Sequence, residues 1–256
     1  MPQDLSGKTI LVTGASKGIG ATIARAVSEG GAHLVAHYGS DRAGIEATVA
    51  GLPADRVHTI AADLGTTSEV DRLWKDAIAW RGRIDVLVNN AAVMRIGGGI
   101  EDSEEAWDRV WDEALRVNVL APARLMRHAV RHYLEAGGGV IVTLSSWAAQ
   151  RAPGNPALLA YATSKAAVLA TTKTIARHYG KKNILAYMIA PGVVRTQLSV
   201  DAANAVGGEA VVSAGLAMGE WIPPEEIGAL VAFLATGKVR HLSGATLDIN
   251  GASYIR

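Results

Sequence analysis

Thr9-Ile10-Leu11-Val12-Thr13-Gly14-Ala15-Ser16-Lys17-Gly18-Ile19-Gly20 is the stretch on which the reading of this 256-residue chain turns. Residues 9–13 form a short, β-branched, apolar run, too short for a helix and suited to a strand buried on both faces. Glycines follow at 14, 18 and 20. They allow a tight turn, a close approach of backbone to a pyrophosphate and close helix–strand packing, while the N-terminus of the next helix attracts the anion. The spacing is Gly-x-x-x-Gly-x-Gly and lacks the Gly-Lys-Ser/Thr ending of a P-loop, which disfavours nucleotide hydrolysis. Gly14, Ser16, Lys17, Gly18, Ile19 and Gly20 are therefore expected to hold a dinucleotide.

Outward from that loop, apolar runs alternate with longer segments of helical period. Strands are expected at 9–13, 33–37, 57–61, 84–88, 140–144, 184–189 and 245–249. Helices are expected at 18–29, 42–50, 68–80, 103–134, 158–180 and 224–236. Right-handed strand–helix–strand crossovers then give one doubly wound parallel sheet with helices on both faces, so residues 1–256 read as a single α/β domain. Ser103 and the acids behind it cap the fourth helix, which makes Glu101, Asp102, Glu104 and Glu105 a solvated helix start. The small-residue stretch 196–221 lies after the sixth strand, where such sheets bind ligands; it reads as a mobile substrate lid, a plain connector being the alternative.

Composition narrows the function. Lys and Arg total 25 against 24 Asp and Glu, with no basic stripe, so no nucleic-acid partner is expected. There is no cysteine, which excludes disulfides, thiolate metal sites and thiol nucleophiles. No apolar run of about 18 residues suggests a membrane span. Met1-Pro2-Gln3-Asp4 does not read as a signal peptide, and a cytoplasmic location is expected.

Tyr161 and Lys165 are four residues apart in a segment of helical period and share a face. A nearby ammonium favours a phenolate, and the pair makes a proton donor and acceptor for a carbonyl oxygen. The spacing alone is weak. Ser145 and Ser146 close the fifth strand, where a hydroxyl can stabilise developing charge. Asn89-Asn90-Ala91-Ala92 closes the fourth strand at the same sheet edge, and Asn118 lies inside a helix, where an amide is mildly unfavourable. Ser146 lacks the Gly-x-Ser-x-Gly elbow of a serine hydrolase. Asp63 ends the third strand and serves either an adenine amino group or the cap of the next helix.

Taken in order, Thr13–Gly20, Asp63-Leu64, Asn89–Ala92, Asn118, Ser145-Ser146, Tyr161-x-x-x-Lys165, Pro191-Gly192-Val193-Val194-Arg195-Thr196 and the C-terminal 244–251 resemble the short-chain dehydrogenase/reductase family over essentially the whole chain. The resemblance implies a Rossmann-type domain and a reaction between a nicotinamide cofactor and a small alcohol/carbonyl pair. It makes Tyr161 the acid/base, Ser146 the group that polarises the carbonyl, Lys165 the holder of the nicotinamide ribose, and Asn118 part of a proton relay. It adds Tyr38, Ser40, Asp63, Leu64, Asn90, Ala91, Pro191, Gly192, Val194 and Thr196 to the cofactor residues. It implies no metal, and a homotetramer built through the fourth and fifth helices and residues 247–254. Two departures stand out: Tyr161 follows Ser146 at an interval of fifteen positions where the family usually has thirteen, with Pro153-Gly154-Asn155-Pro156 between them, and Ala92 stands where Gly is common.

Where an NAD-specific site of this kind carries an acid at the end of the second strand, this chain has Tyr38. Lys17 and Ser40 favour a 2′-phosphate and Asp41 argues against it, so NADP(H) is expected over NAD(H). A sugar or polyol dehydrogenase using NAD, a 3-oxoacyl-thioester reductase and a non-catalytic nucleotide sensor remain the alternatives. Trp147 is placed at the substrate pocket, Trp107 and Trp111 at packing or a subunit contact, and His128 and His132 at polar rather than metal-binding roles.

Overall fold

A computed structural model describes residues 3–204 and 207–255. Met1, Pro2 and Arg256, and residues 205–206 of the expected lid, lie outside them. Seven strands form one parallel sheet: β1 (Thr9–Val12), β2 (His33–Tyr38), β3 (Val57–Ala61), β4 (Val86–Asn89), β5 (Gly139–Leu144), β6 (Ile184–Pro191) and β7 (Thr246–Ile249). Their order is β3-β2-β1-β4-β5-β6-β7. The chain leaves β1 for β2 on one side and returns to β4 on the other, so the crevice at the carboxyl ends of β1 and β4 is the switch point where ligands bind in open α/β sheets.

The central strands β1, β4, β5 and β6 run as near-continuous apolar stretches because both of their faces are covered. On one face, Ile10, Val12, Leu34, Val142 and Ile189 pack with α1 (Gly18–Glu29), α2 (Arg42–Val49) and α10 (Pro224–Ala235). On the other, Leu11, Val35, Leu87 and Ile141 pack with α3 (Thr67–Arg81), α5 (Ala121–Ala136) and α7 (Leu159–Tyr179).

The structure departs from the expected elements in several places. The helix expected at 103–134 is α4 (Glu104–Leu115), a π-helical turn at Arg116–Leu120 and α5, with helical backbone at each junction. The stretch 196–221, where no helix was expected, carries α8 (Gln197–Asn204) and α9 (Glu209–Ala214), and is anchored by a parallel bridge between Val194 and Ile222. The segment between Ser146 and Tyr161 holds α6 (Ala148–Arg151) and a tight turn at Pro156–Leu158. β6 also extends two residues beyond the expected 189, to Pro191. Among the described residues, no helix is long and apolar enough to cross a membrane.

Candidate active site

The loop between β1 and α1 is shaped by what cannot fit in it. Gly14 has φ +68°, and a Cβ there would stand 2.9 Å from the Ala91 backbone. A Cβ on Gly20 would meet the Gly14 carbonyl oxygen at 1.9 Å. Asn90 locks this arrangement, its Nδ2 donating to the Thr13 and Gly14 carbonyls at 2.8 and 3.1 Å. Thr13 Oγ1 accepts the backbone N–H groups of Asn90 and Ala91. The motifs after β1 and β4 are thus one unit. No side chain caps α1, whose first turn faces the crevice with its N–H groups available, as an anion needs.

A cavity of about 270 Å³ follows, lined by fifteen of the expected residues: Gly14, Ser16, Lys17, Gly18, Ile19, Gly20, Asn90, Ala91, Ser146, Tyr161, Lys165, Pro191, Gly192, Val194 and Thr196. Ala92, Leu144, Ser145, Leu198 and Ser199 also line it. The glycine cradle and the uncapped helix fit a dinucleotide pyrophosphate, with Lys165 and Tyr161 at the far end. Tyr38, Ser40, Asp63, Leu64 and Asn118 do not line this cavity. Asp63 turns its carboxylate to the Gly65 N–H and the Thr66 hydroxyl, both at 2.9 Å, ahead of α3. Leu64 is buried in the apolar core.

Asn118 sits on the π-helical turn and is buried. Its Nδ2 donates to the Val93 carbonyl at 2.8 Å and to Ser164 Oγ at 3.0 Å, and its Oδ1 accepts the Val93 N–H at 2.8 Å. Ser164 in turn donates to the Tyr161 carbonyl. The extra residue of the π turn re-aims a polar side chain inward, a common use of such turns.

Tyr161 and Lys165 occupy one face of α7, as the spacing requires. Burial raises the Tyr161 phenol above its ordinary value, while hydrogen bonding with Ser146 acts in the opposite direction. The expected lowering by Lys165 is not what the geometry gives. Lys165 Nζ donates to the Leu144 carbonyl at 2.8 Å and lies 5.9 Å from the centre of the phenol ring, and burial pushes its own ammonium down to about 8. Ser146 Oγ accepts the Ala148 N–H at 3.1 Å, which leaves its O–H to act as a donor, as it does toward Tyr161.

His37 is a support that the sequence reading missed. It is buried at the end of β2, accepts the Gly14 N–H at Nδ1 (3.1 Å) and lies 3.0 Å from the Ala62 carbonyl at Nε2. The only available signal was a polar residue within an apolar strand.

A second cavity of about 370 Å³ adjoins the first and shares Ser146, Tyr161, Gly192 and Ser199 with it. Trp147 lines it. Elsewhere, Trp107 stacks on Trp111 at 4.9 Å, and Trp111 packs against Val110, Ala114 and Ala160. His128 pairs with Asp71 at 2.7 Å, and no group of three metal-binding side chains occurs among the described residues.

A family model described as "Enoyl-(Acyl carrier protein) reductase" matches residues 14–252. The chain is 34% identical over 260 residues to 3beta-hydroxysteroid dehydrogenase 1 of Eggerthella lenta, covering 98% of this chain and 95% of that protein. It is 35% identical over 254 residues to D-threitol dehydrogenase of Mycolicibacterium smegmatis, with the same coverage of each. It is 31% identical over 250 residues to a 3-oxoacyl-[acyl-carrier-protein] reductase of Staphylococcus aureus, covering 97% and 98%. Among solved structures, LugOII, described as a promiscuous reductase that catalyses keto-reduction at C1 in lugdunomycin biosynthesis, matches with a TM-score of 0.86 and 29% identity over 99% of this chain and 100% of its own.

Proposed function

Since the chain belongs to the short-chain dehydrogenase/reductase family of NAD(P)(H)-linked oxidoreductases acting on CH–OH groups, we propose that it interconverts a small alcohol and its ketone with NADP(H), using Tyr161 as acid and base. One observation carries this reading: Ser146 and Tyr161 stand where the glycine-lined cavity and the apolar cavity meet.

In the reducing direction, the Ser146 hydroxyl donates to the carbonyl oxygen and stabilises charge as it develops. The Tyr161 phenol, held protonated at neutral pH by burial, delivers its proton to that oxygen. Lys165 orients the nicotinamide ribose, its charge held at the Leu144 carbonyl end of β5. Asn118, through Ser164, fixes the backbone behind Tyr161 and has one Oδ1 lone pair left for a relay water. When bound, the nicotinamide gives or takes the hydride.

Two features support NADP(H). Lys17 stands exposed at the start of α1, beside the cavity. Asp41, the one carboxylate that argued against a 2′-phosphate, turns to the Gly44 N–H at 2.9 Å as the cap of α2. The proposal includes a single domain over residues 1–256, a cytoplasmic location and a homotetramer.

Tyr161→Phe is expected to keep NADPH binding, measured by fluorescence titration, and to lose more than tenfold in kcat/KM for ketone reduction. That loss corresponds to more than about 1.4 kcal/mol. Retention of a tenth or more of the wild-type value removes Tyr161 from the acid/base role.

A further inference from the structure

We propose that the apolar cavity takes a largely apolar ketone or alcohol bearing a carboxylate, and that Arg151, lying over the Trp147 ring, is the receptor for that carboxylate. The inference rests on the reading that Ser146 and Tyr161 address the carbonyl oxygen.

The walls of the cavity come first. Met94, Ile96, Leu158, Val212, Leu216 and Trp147 give it an apolar surface, the lining that suits a substrate with a hydrocarbon or ring body. The polar side chains among its walls are partly engaged nearby. Asn155 Oδ1 accepts the Ala157 N–H at 3.0 Å, and Ser199 Oγ lies 3.2 Å from Thr196 Oγ1. A chain of hydroxyls would lose its water here and find few partners, which is unfavourable for a polar group.

Arg151 is the sole charged side chain among the described residues that line the cavity. Its guanidinium lies 4.5 Å from the centre of the Trp147 ring, and Trp147 directly follows Ser146. A second arginine sets the contrast. Arg195 lies over Trp221 at 5.3 Å and also pairs with Glu209 at 2.8 Å. Arg151 has the aromatic platform without a carboxylate partner among the described residues. Stacking restrains the guanidinium while its N–H edges stay available, and those edges match a carboxylate in a two-point contact. The side chain also stands immediately before Ala152 and the Pro153-Gly154-Asn155-Pro156 segment, in the interval that is longer here than is usual in the family. The lengthened loop thus brings the cation to the rim of the pocket.

The test uses aryl ketones in which the distance from carbonyl to carboxylate increases stepwise: meta-acetylbenzoate, para-acetylbenzoate and an acetylbiphenyl carboxylate. Each is compared with its own carboxamide, with NADPH, in the wild-type protein, Arg151→Met and Arg151→Lys. The quantity read is the carboxylate-to-carboxamide ratio of kcat/KM within each protein, so a general loss of activity in a variant cancels. At one or more steps the wild-type ratio is expected to reach about tenfold, about 1.4 kcal/mol. It should fall to within about twofold in Arg151→Met, with Arg151→Lys intermediate. A wild-type ratio near or below one at every step overturns the proposal, and so does a ratio that survives Arg151→Met. Calorimetric binding of the same pairs to Tyr161→Phe with NADP+ separates the two readings. Carboxylate-selective binding that Arg151→Met abolishes, found when the wild-type protein reduces none of these ketones, upholds the receptor and counts against the proposed reaction.

Discussion

His37 shows how one buried side chain couples the glycine loop to the rest of the sheet. With Nδ1 accepting from Gly14, its proton must sit on Nε2, where it can donate to the Ala62 carbonyl; the ring is therefore neutral in the fold. Burial is the main cause that lowers its pKa from 6.5 to about 4. Between those values the unfolded chain binds a proton that the folded chain refuses. Its contribution to stability is thus complete above pH 6.5 and is lost progressively as pH falls towards 4, on the order of 3 kcal/mol in all. Urea unfolding at a series of pH values should show this slope, and His37→Asn should flatten much of it. His33 and His132, also lowered by burial, account for a remainder. An unchanged slope in His37→Asn removes His37 as its origin. Lys17 carries the prediction on coenzyme choice. The wild-type protein should favour NADPH over NADH in kcat/KM by about 1–3 kcal/mol, the range of a hydrogen bond to a charged group, and Lys17→Ala should narrow the gap. Equal or better use of NADH by the wild type counts against NADP(H).

At the scale of elements, α2 begins at the point where the coenzyme question is decided. If Asp41 is simply a helix cap, Asp41→Ala should destabilise the fold by about 1 kcal/mol. For a chain of this length that is roughly 2–4 °C in melting temperature. The NADPH-to-NADH ratio should not move. If instead the substitution lowers use of NADH selectively, Asp41 reaches the ribose. The elements beside the apolar cavity were the least legible ones. α8 and α9 have eight and six residues, too few for a 3.6-residue period to stand out in a stretch dominated by Ala and Gly. Helices that short are marginal in isolation and owe their form to what they pack against. The π turn was hidden for a related reason: one extra residue per turn leaves the surrounding apolar period nearly intact. Only the unfavourable amide of Asn118 marked the place.

At the scale of the molecule, apolar side chains remain exposed on the elements expected to pair. Leu120 and Leu134 are 62% and 45% exposed, and Ile255, beyond β7, is 80% exposed. Burying such side chains between copies stabilises an assembly by roughly 25 cal/mol for each Å² of apolar surface removed from water. Sedimentation at micromolar concentration is expected to give about four times the 26.7 kDa of one chain. Leu120→Glu together with Leu134→Glu should shift that mass downwards. A wild-type mass equal to one chain refutes the homotetramer.

The sequence by itself determined the sheet, its winding and the residues proposed to carry the chemistry. Both signals are local: a strand is written in a few β-branched residues, and Tyr161-x-x-x-Lys165 or the glycine loop is written in fixed spacings on a single element. Tertiary structure alone decided what these residues experience. The phenol of Tyr161 is raised and not lowered because burial outweighs its hydrogen bond with Ser146, and the ammonium of Lys165 turns instead to the Leu144 carbonyl. Asp41 and Asp63 each turn a carboxylate to the start of a neighbouring helix segment. His37 reaches Gly14 across a separation of 23 residues, and Arg151 meets the ring of Trp147 at the rim of a cavity assembled from distant segments. Desolvation, hydrogen-bond partners and pocket walls depend on which remote segments surround a residue, and no local spacing encodes that.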